Sequence, residues 1–158
     1  TDIENKKTGK SISKNLTTLF DINKKGRDSI SVTKIRLGQS YFRKMVLQNY
    51  NNRCCVTGLN IPQILHASHI VPWSSDQSNR MNPENGLCLS ATYDAAFDKH
   101  LISFDDDYRL ILSNEIKDYY ENDVVKAYFK NFEGKQIILP TLFFPNKKLL
   151  QKHRELMT

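Results

Sequence analysis

The segment 65–98 constrains the fold of this chain more than any other part of the sequence. Its apolar stretches at 64–70 and 87–89 are short and bounded by turn-forming residues, so each predicts a strand. A polar loop at 74–86 separates them, and Ser90 then provides a good N-cap for a helix over about 91–99. This order predicts a ββα unit.

The flanking segments predict the remaining elements. Apolar residues at helical spacing predict a helix from about Gly38 to Asn51-Asn52, followed by a short strand at 55–58 that turns at Gly58. Segments 101–104 and 108–112 surround an acidic turn and predict a hairpin. Two helices then follow, from Asn114 to about 131 and over 147–157. The fold class is α+β: a ββα core with a preceding helix, a following β-hairpin and C-terminal helices.

The length of 158 residues suits one domain. Residues 1–33 are rich in Lys, Asn, Ser and Thr, which predicts a polar basic tail or a linker to an upstream domain, and residues 34–158 are expected to form the globular domain. The first residue is Thr, so we expect a chain that was processed or cut from a longer protein.

The charge is divided unevenly along the chain. Residues 1–53 hold 12 Lys and Arg against 4 Asp and Glu, a net of +8, whereas residues 54–158 hold 11 against 13, a net of −2. The basic front predicts a polyanionic partner, although such a charge also serves solubility. No stretch is long and apolar enough for a membrane, and no secretory signal is visible, so we expect a cytoplasmic protein.

Only three cysteines occur, at Cys54, Cys55 and Cys88, and none of them forms a CxxC pair. This number does not fit a disulfide framework. We therefore interpret the cysteines as core residues and predict no structural zinc.

The segment 65–98 also carries residues suited to chemistry. Asp94 and Asp98 are four residues apart, so they share one helical face and can approach a single hard cation such as Mg²⁺. His69 at a strand end has a pKa range suited to taking a proton from water. Together they suggest metal-assisted phosphodiester hydrolysis. Singly, such residues are more often a structural histidine and a solvated helix face.

Five motifs in this order resemble the HNH endonuclease family with its ββα-metal fold, and in particular the HNH domain of predicted restriction endonucleases. The resemblance covers residues 34–113, with a motif core at 54–104. The motifs are Arg36-Leu-Gly-Gln39 followed by Phe42-Arg43, then Cys55-Val-Thr-Gly58, Ala67-Ser-His-Ile-Val-Pro-Trp73, Asn85-Gly-Leu-Cys-Leu89 and Asp94-Ala-Ala-Phe-Asp98.

The resemblance implies roles for four residues. His69 would be the general base, and Asn85 would orient its imidazole and pin the loop. Asp94 and Asp98 would hold one divalent cation, Mg²⁺ first and Mn²⁺ or another divalent ion as the alternative. Ser68 stands where many relatives have an Asp or His ligand. His66, two residues earlier on the same strand face, is the alternative ligand.

The expected function is that of a metal-dependent endonuclease acting on double-stranded DNA, leaving a 5′-phosphate and a 3′-hydroxyl, as the nuclease part of a restriction or defence enzyme. Further expected partners are a second copy of the chain or an upstream DNA-recognition domain. The alternatives are an inactive HNH-fold DNA-binding module and a toxin-type nuclease acting on RNA or non-specifically on DNA. The predicted DNA-docking residues are Arg36, Arg43, Lys44 and Arg80.

Overall fold

The computed structural model describes residues 25–157, with side chains from residue 31 onwards. The helices of this part are α1 (Lys25–Asn49), α2 (Ala91–Asp98), α3 (Asn114–Lys117), α4 (Asp123–Tyr128) and α5 (Lys147–Arg154). The strands are β1 (Leu65–His69), β2 (Gly86–Ser90), β3 (Ile102–Phe104) and β4 (Leu110–Leu112). The mixture of helices with small antiparallel sheets confirms the predicted α+β class.

The chain divides into two compact units, one that ends at Gln39 and one from Ser40 to Thr158. Helix α1 begins at Lys25, thirteen residues before the predicted start at Gly38. Its first turns thus fall within the segment that the sequence predicts as a tail. That prediction missed the helix because these turns are polar and show no apolar stripe.

Strands β1 and β2 pair antiparallel, with His66 opposite Leu89 and His69 opposite Gly86. Helix α2 follows β2 directly and packs on both strands. This is the predicted ββα unit. Ser90 occupies the N-cap position of α2, but its hydroxyl makes no capping bond and is buried without a partner in the described part of the chain.

The core of the second unit lies between the ββα unit, the end of α1 and the C-terminal elements. Helix α1 and the residue that follows it contribute four buried side chains at helical spacing, namely Phe42, Val46, Leu47 and Tyr50. Asn51 and Asn52 both have φ of 54°, in the left-handed region that asparagine tolerates, and they end the helix as predicted. The end of α1 is thereby fixed against the sheet.

The hairpin β3–β4 confirms the prediction, with Ile102 opposite Leu112. The single helix predicted from Asn114 to about 131 is wrong. It is divided into α3 and α4, because Ser113 caps the first and Asn122 accepts hydrogen bonds from the backbone N–H groups of Val124 and Val125. An asparagine side chain that bonds the backbone N–H groups after it favours the start of a helix over the helix interior.

The strand predicted at 55–58 is also absent, since this segment is a turn closed by the bond from Gly58 N–H to the Cys54 carbonyl (2.8 Å). Gly58 has a φ of +77°, which explains the glycine.

All three cysteines are free and buried, as predicted. Burial raises the pKa of Cys88 to about 12, so its thiol stays protonated and packs as a small apolar group. Within residues 25–157, no helix has the length and apolar character needed to cross a membrane.

Candidate active site

His69 lies at the end of β1, where neighbours fix its imidazole from several sides. The ring stacks on Phe42 of α1, with centroids 3.9 Å apart and planes 11° apart. Trp73 stands nearly perpendicular to it, at 5.6 Å. The Nε2 atom lies 3.0 Å from the carbonyl oxygen of Arg80. Position and rotation of the ring are therefore both set by the fold.

The bond to Arg80 also determines which nitrogen of His69 is basic. Because a carbonyl oxygen only accepts, Nε2 carries the proton and the lone pair is on Nδ1. In the part of the chain that the structure describes, Nδ1 has no hydrogen-bond partner, and the side chain is half-buried. Burial lowers the pKa of His69 below 6.5, and the Arg80 carbonyl partly opposes this. A neutral imidazole with an open nitrogen can accept a proton from water.

Asn85 precedes β2 and is 1% exposed. Its amide nitrogen donates to the carbonyls of Val71 and Asn79, both at 3.1 Å, and its oxygen accepts from Val71 N–H at 2.9 Å. These bonds pin the loop 71–79, as the family resemblance implies. The amide makes no direct bond to His69. Its nearest link to the ring is through Asn79, because Arg80, the next residue, provides the carbonyl that His69 contacts.

A second polar group lies on the other face of β1. Side chains alternate along a strand, so His66 and Ser68 share the face that α2 covers. Ser68 Oγ donates to Asp94 Oδ1 at 2.5 Å, and Asp94 Oδ2 lies 3.7 Å from His66 Nδ1. The side chains of His66 and Asp94 are 49% and 31% exposed, so solvent reaches both.

Asp98 is exposed at the end of α2. Burial lowers the pKa of His153, and the negative charge of Asp98 partly opposes this. Among residues 25–157, no three or more His, Cys, Asp or Glu side chains group closely enough to hold a metal ion. An open Mg²⁺ site needs only one or two protein ligands, because the ion keeps waters and binds substrate phosphate. The Asp94 carboxylate with His66 beside it fits such a site.

Residues 54–105 match the family model for HNH endonucleases. This segment is an HNH domain. It contains His69, Asn85, Asp94 and Asp98, so the predicted family resemblance is confirmed. No curated protein matches the chain. Among solved structures, a modification dependent TagI restriction endonuclease is similar, at 17% identity and a TM-score of 0.49, over 73% of this chain. The aligned region spans 36% of that enzyme's length.

Two of the predicted docking residues have structural partners around the HNH domain. Arg43 donates to the carbonyls of Leu65 (2.6 Å) and Pro62 (3.0 Å), which fixes the entry to β1. Arg80 donates through Nε to the Trp73 carbonyl (2.6 Å), and its guanidinium lies over the Trp73 ring. The terminal nitrogens of Arg80 have no partner among the described residues. A phosphate could therefore bind there.

The other two predicted docking residues are solvent-exposed. Arg36 lies on the part of α1 that belongs to the first unit, and Lys44 lies on the part that belongs to the second. Their exposure is compatible with phosphate contact, and their roles stay predictions.

Sequence reasoning missed two residues that build the HNH site. Phe42 is predicted only as helix core, yet it is the surface on which His69 stacks. Gly86 is predicted as a turn residue, yet a Cβ there would come within 2.5 Å of Val46 Cγ2 and 2.9 Å of Phe42 Cζ. Gly86 thus lets α1 approach the sheet beside His69. The only signal was that both residues belong to the quoted motifs.

Proposed function

We propose that this chain is a metal-dependent DNA endonuclease, the nuclease part of a restriction or other defence enzyme, in which His69 is the general base. The observation that supports this most strongly is the single open nitrogen of His69 within an HNH domain. Nε2 is committed to the Arg80 carbonyl, and Nδ1 is free to receive the proton of an attacking water.

The chain's own residues supply most of the proposed step. Phe42 and the Arg80 carbonyl hold the imidazole so that Nδ1 faces the water, and Asn85 keeps the loop that carries this carbonyl in place. His69 takes one proton as the water oxygen attacks phosphorus, the bond from phosphorus to the 3′ oxygen breaks, and the departing 3′ oxygen takes a proton from solvent water. The products are a 5′-phosphate and a 3′-hydroxyl.

Asp94 would hold the divalent cation, with His66 or Asp98 as a second ligand. When bound, such an ion neutralises developing charge on the scissile phosphate and the departing oxygen. Asp94 bonds Ser68, the neighbour of His69 on β1, so the proposed ligand and the proposed base are anchored to adjacent residues of one strand.

The basic charge of residues 1–53 supports DNA as the partner, together with Arg80 beside the site. Double-strand cleavage would need a second copy of the chain or a second cut, and an upstream domain would supply sequence recognition.

The test is nicking of supercoiled plasmid by the full chain in Mg²⁺ and Mn²⁺ series, on methylated and unmethylated DNA, with structured RNA in parallel. We expect nicking of DNA that EDTA abolishes and that leaves ends ligatable after a second cut. DNA binding without nicking in any metal would identify an inactive binding module. Faster cleavage of RNA than of DNA would identify a toxin-type nuclease instead.

A further inference from the structure

The Asp94 carboxylate has two oxygens with different surroundings. Oδ1 accepts the hydroxyl hydrogen of Ser68 at 2.5 Å, whereas Oδ2 faces His66 Nδ1 at 3.7 Å. Ser68 therefore fixes the rotation of the carboxylate and presents its second oxygen to His66. This is the kind of support that orients a metal ligand from outside the coordination sphere.

The 3.7 Å between Asp94 Oδ2 and His66 Nδ1 is too long for a good hydrogen bond. It is short enough for two atoms bound to one ion, because ligands at about 2.1 Å from a common ion are at most about 4.2 Å apart. Both side chains are partly exposed, at 49% and 31%, which leaves room for waters and a phosphate oxygen. The gap thus has the size and the openness of a catalytic cation site.

We propose that His66 and Asp94 together hold the divalent cation, and that Ser68 positions Asp94 without binding the ion. This inference rests on the proposed function, which requires such an ion, and it assigns the second ligand to His66 instead of Asp98. The family pattern places its ligand at the position of Ser68, and His66 lies two residues before it on the same strand face. One nitrogen and one carboxylate ligand favour Mn²⁺, Co²⁺ or Ni²⁺ over Mg²⁺, because imidazole suits the transition metals better.

The experiment measures Mn²⁺ and Mg²⁺ binding to the full chain by calorimetry and by the electron paramagnetic resonance signal of free Mn²⁺. His66→Ala should weaken Mn²⁺ binding on the order of tenfold or more, and Ser68→Ala should weaken it by a similar or smaller factor. Asp98→Asn tests the rival ligand, and if His66 is the second ligand this variant should leave Mn²⁺ affinity unchanged. His66 is exposed, so its replacement should not disturb folding, which thermal unfolding checks.

A second variant tests the ligand itself. His66→Glu replaces the imidazole with a carboxylate of sufficient reach, so it should restore binding and shift the preference from Mn²⁺ toward Mg²⁺. In the wild-type chain, Mn²⁺ should broaden the ring proton resonances of His66 at substoichiometric amounts.

The outcomes separate this inference from the proposed function. Unchanged Mn²⁺ affinity in His66→Ala, or a loss confined to Asp98→Asn, would overturn the inference, while metal-dependent nicking would still support the nuclease. Conversely, Mn²⁺ binding that needs His66 in a chain that cuts no nucleic acid would support the cation site and refute the nuclease.

Discussion

His69 and His153 have similar contacts at the ring face and at Nε2, but they differ at Nδ1. His69 stacks on Phe42 at 3.9 Å, and His153 of α5 stacks on Phe97 at 3.8 Å. Each donates through Nε2 to a backbone carbonyl, that of Arg80 or that of Phe97. Burial lowers the pKa of both. The two histidines thus share a stacked ring and a hydrogen bond from Nε2 to a backbone carbonyl.

The difference lies at Nδ1. In His153 this nitrogen accepts a hydrogen bond from Ser103 at 2.8 Å, and the residue is 4% exposed. In His69 the corresponding nitrogen has no partner in the described residues, and solvent reaches the side chain. A stacked, neutral imidazole is therefore a structural residue when both nitrogens are bonded, and a candidate base when one is open.

The largest expected effect comes from removing the open nitrogen. In His69→Ala we expect plasmid nicking to slow by about 10²–10⁴, the usual contribution of a general base, while DNA affinity is retained. Single-turnover rates and a binding titration measure the two quantities. The matched control is His100→Asn, because asparagine tolerates the φ of 58° at this position and His100 lies outside the site. Wild-type cleavage by His69→Ala would refute the assignment.

The next effect concerns the loop whose Arg80 carbonyl accepts the hydrogen bond from Nε2 of His69. Asn85→Ala removes three buried hydrogen bonds and leaves the Val71 and Asn79 groups unpaired, which should cost about 3 kcal/mol of unfolding free energy. Because the Arg80 carbonyl would lose its fixed position, cleavage should slow as well. Urea unfolding and single-turnover rates measure both changes.

The control for Asn85 is Asn82→Ala, which removes a cap on the short helical turn at Pro83–Asn85 and should cost less. If Asn85→Ala lost stability but kept the wild-type rate in the folded protein, Asn85 would have no part in positioning His69.

The sequence predicts the ββα unit well because its determinants are local. Short apolar runs, a turn-rich loop and the helix that follows Ser90 are all adjacent in the chain. The polar contacts of the site are different. Phe42 reaches His69 across 27 positions and His153 reaches Ser103 across 50, so neither pair has a local signal.

The prediction of one helix after Asn114 was wrong because local signals competed. The apolar stripe after Asn114 suggested one helix, but Asn122 caps a second one, and Val124 of that stripe is exposed. The sequence assigns no role to His153, which is buried against Ser103 and Phe97. Both partners are 50 or more positions away, so only tertiary packing reveals this contact.

A third prediction concerns His153, whose two ring nitrogens are both hydrogen-bonded, and the pH dependence of stability. Burial lowers the pKa of His153 to about 4, against 6.5 in the unfolded chain, so between these values the unfolded chain binds more protons. The stability is fully present above pH 6.5 and falls as the pH falls toward 4, by about 3 kcal/mol in total from this residue. Urea unfolding at pH 7, 5.5 and 4.5 measures the slope.

The contribution of His153 is isolated with His153→Gln. This variant should be less stable than wild type at pH 7, yet lose less on acidification, because it has no group to protonate. A variant with the same pH slope as wild type would assign the acid sensitivity to other groups.

The smallest expected effect tests whether the stack of His69 on Phe42 contributes to cleavage and the stack of His153 on Phe97 does not. Phe42→Leu and Phe97→Leu each keep an apolar side chain under the imidazole, and each should cost less than about 1.5 kcal/mol of stability. In the proposed mechanism, Phe42 but not Phe97 supports an imidazole that must face a water at a fixed angle. Phe42→Leu should therefore slow cleavage by a factor of about five, equivalent to about 1 kcal/mol of stacking, and Phe97→Leu should leave the rate unchanged. Equal rate losses in both variants would show that the stack acts through global stability, and that the open nitrogen alone distinguishes the two histidines.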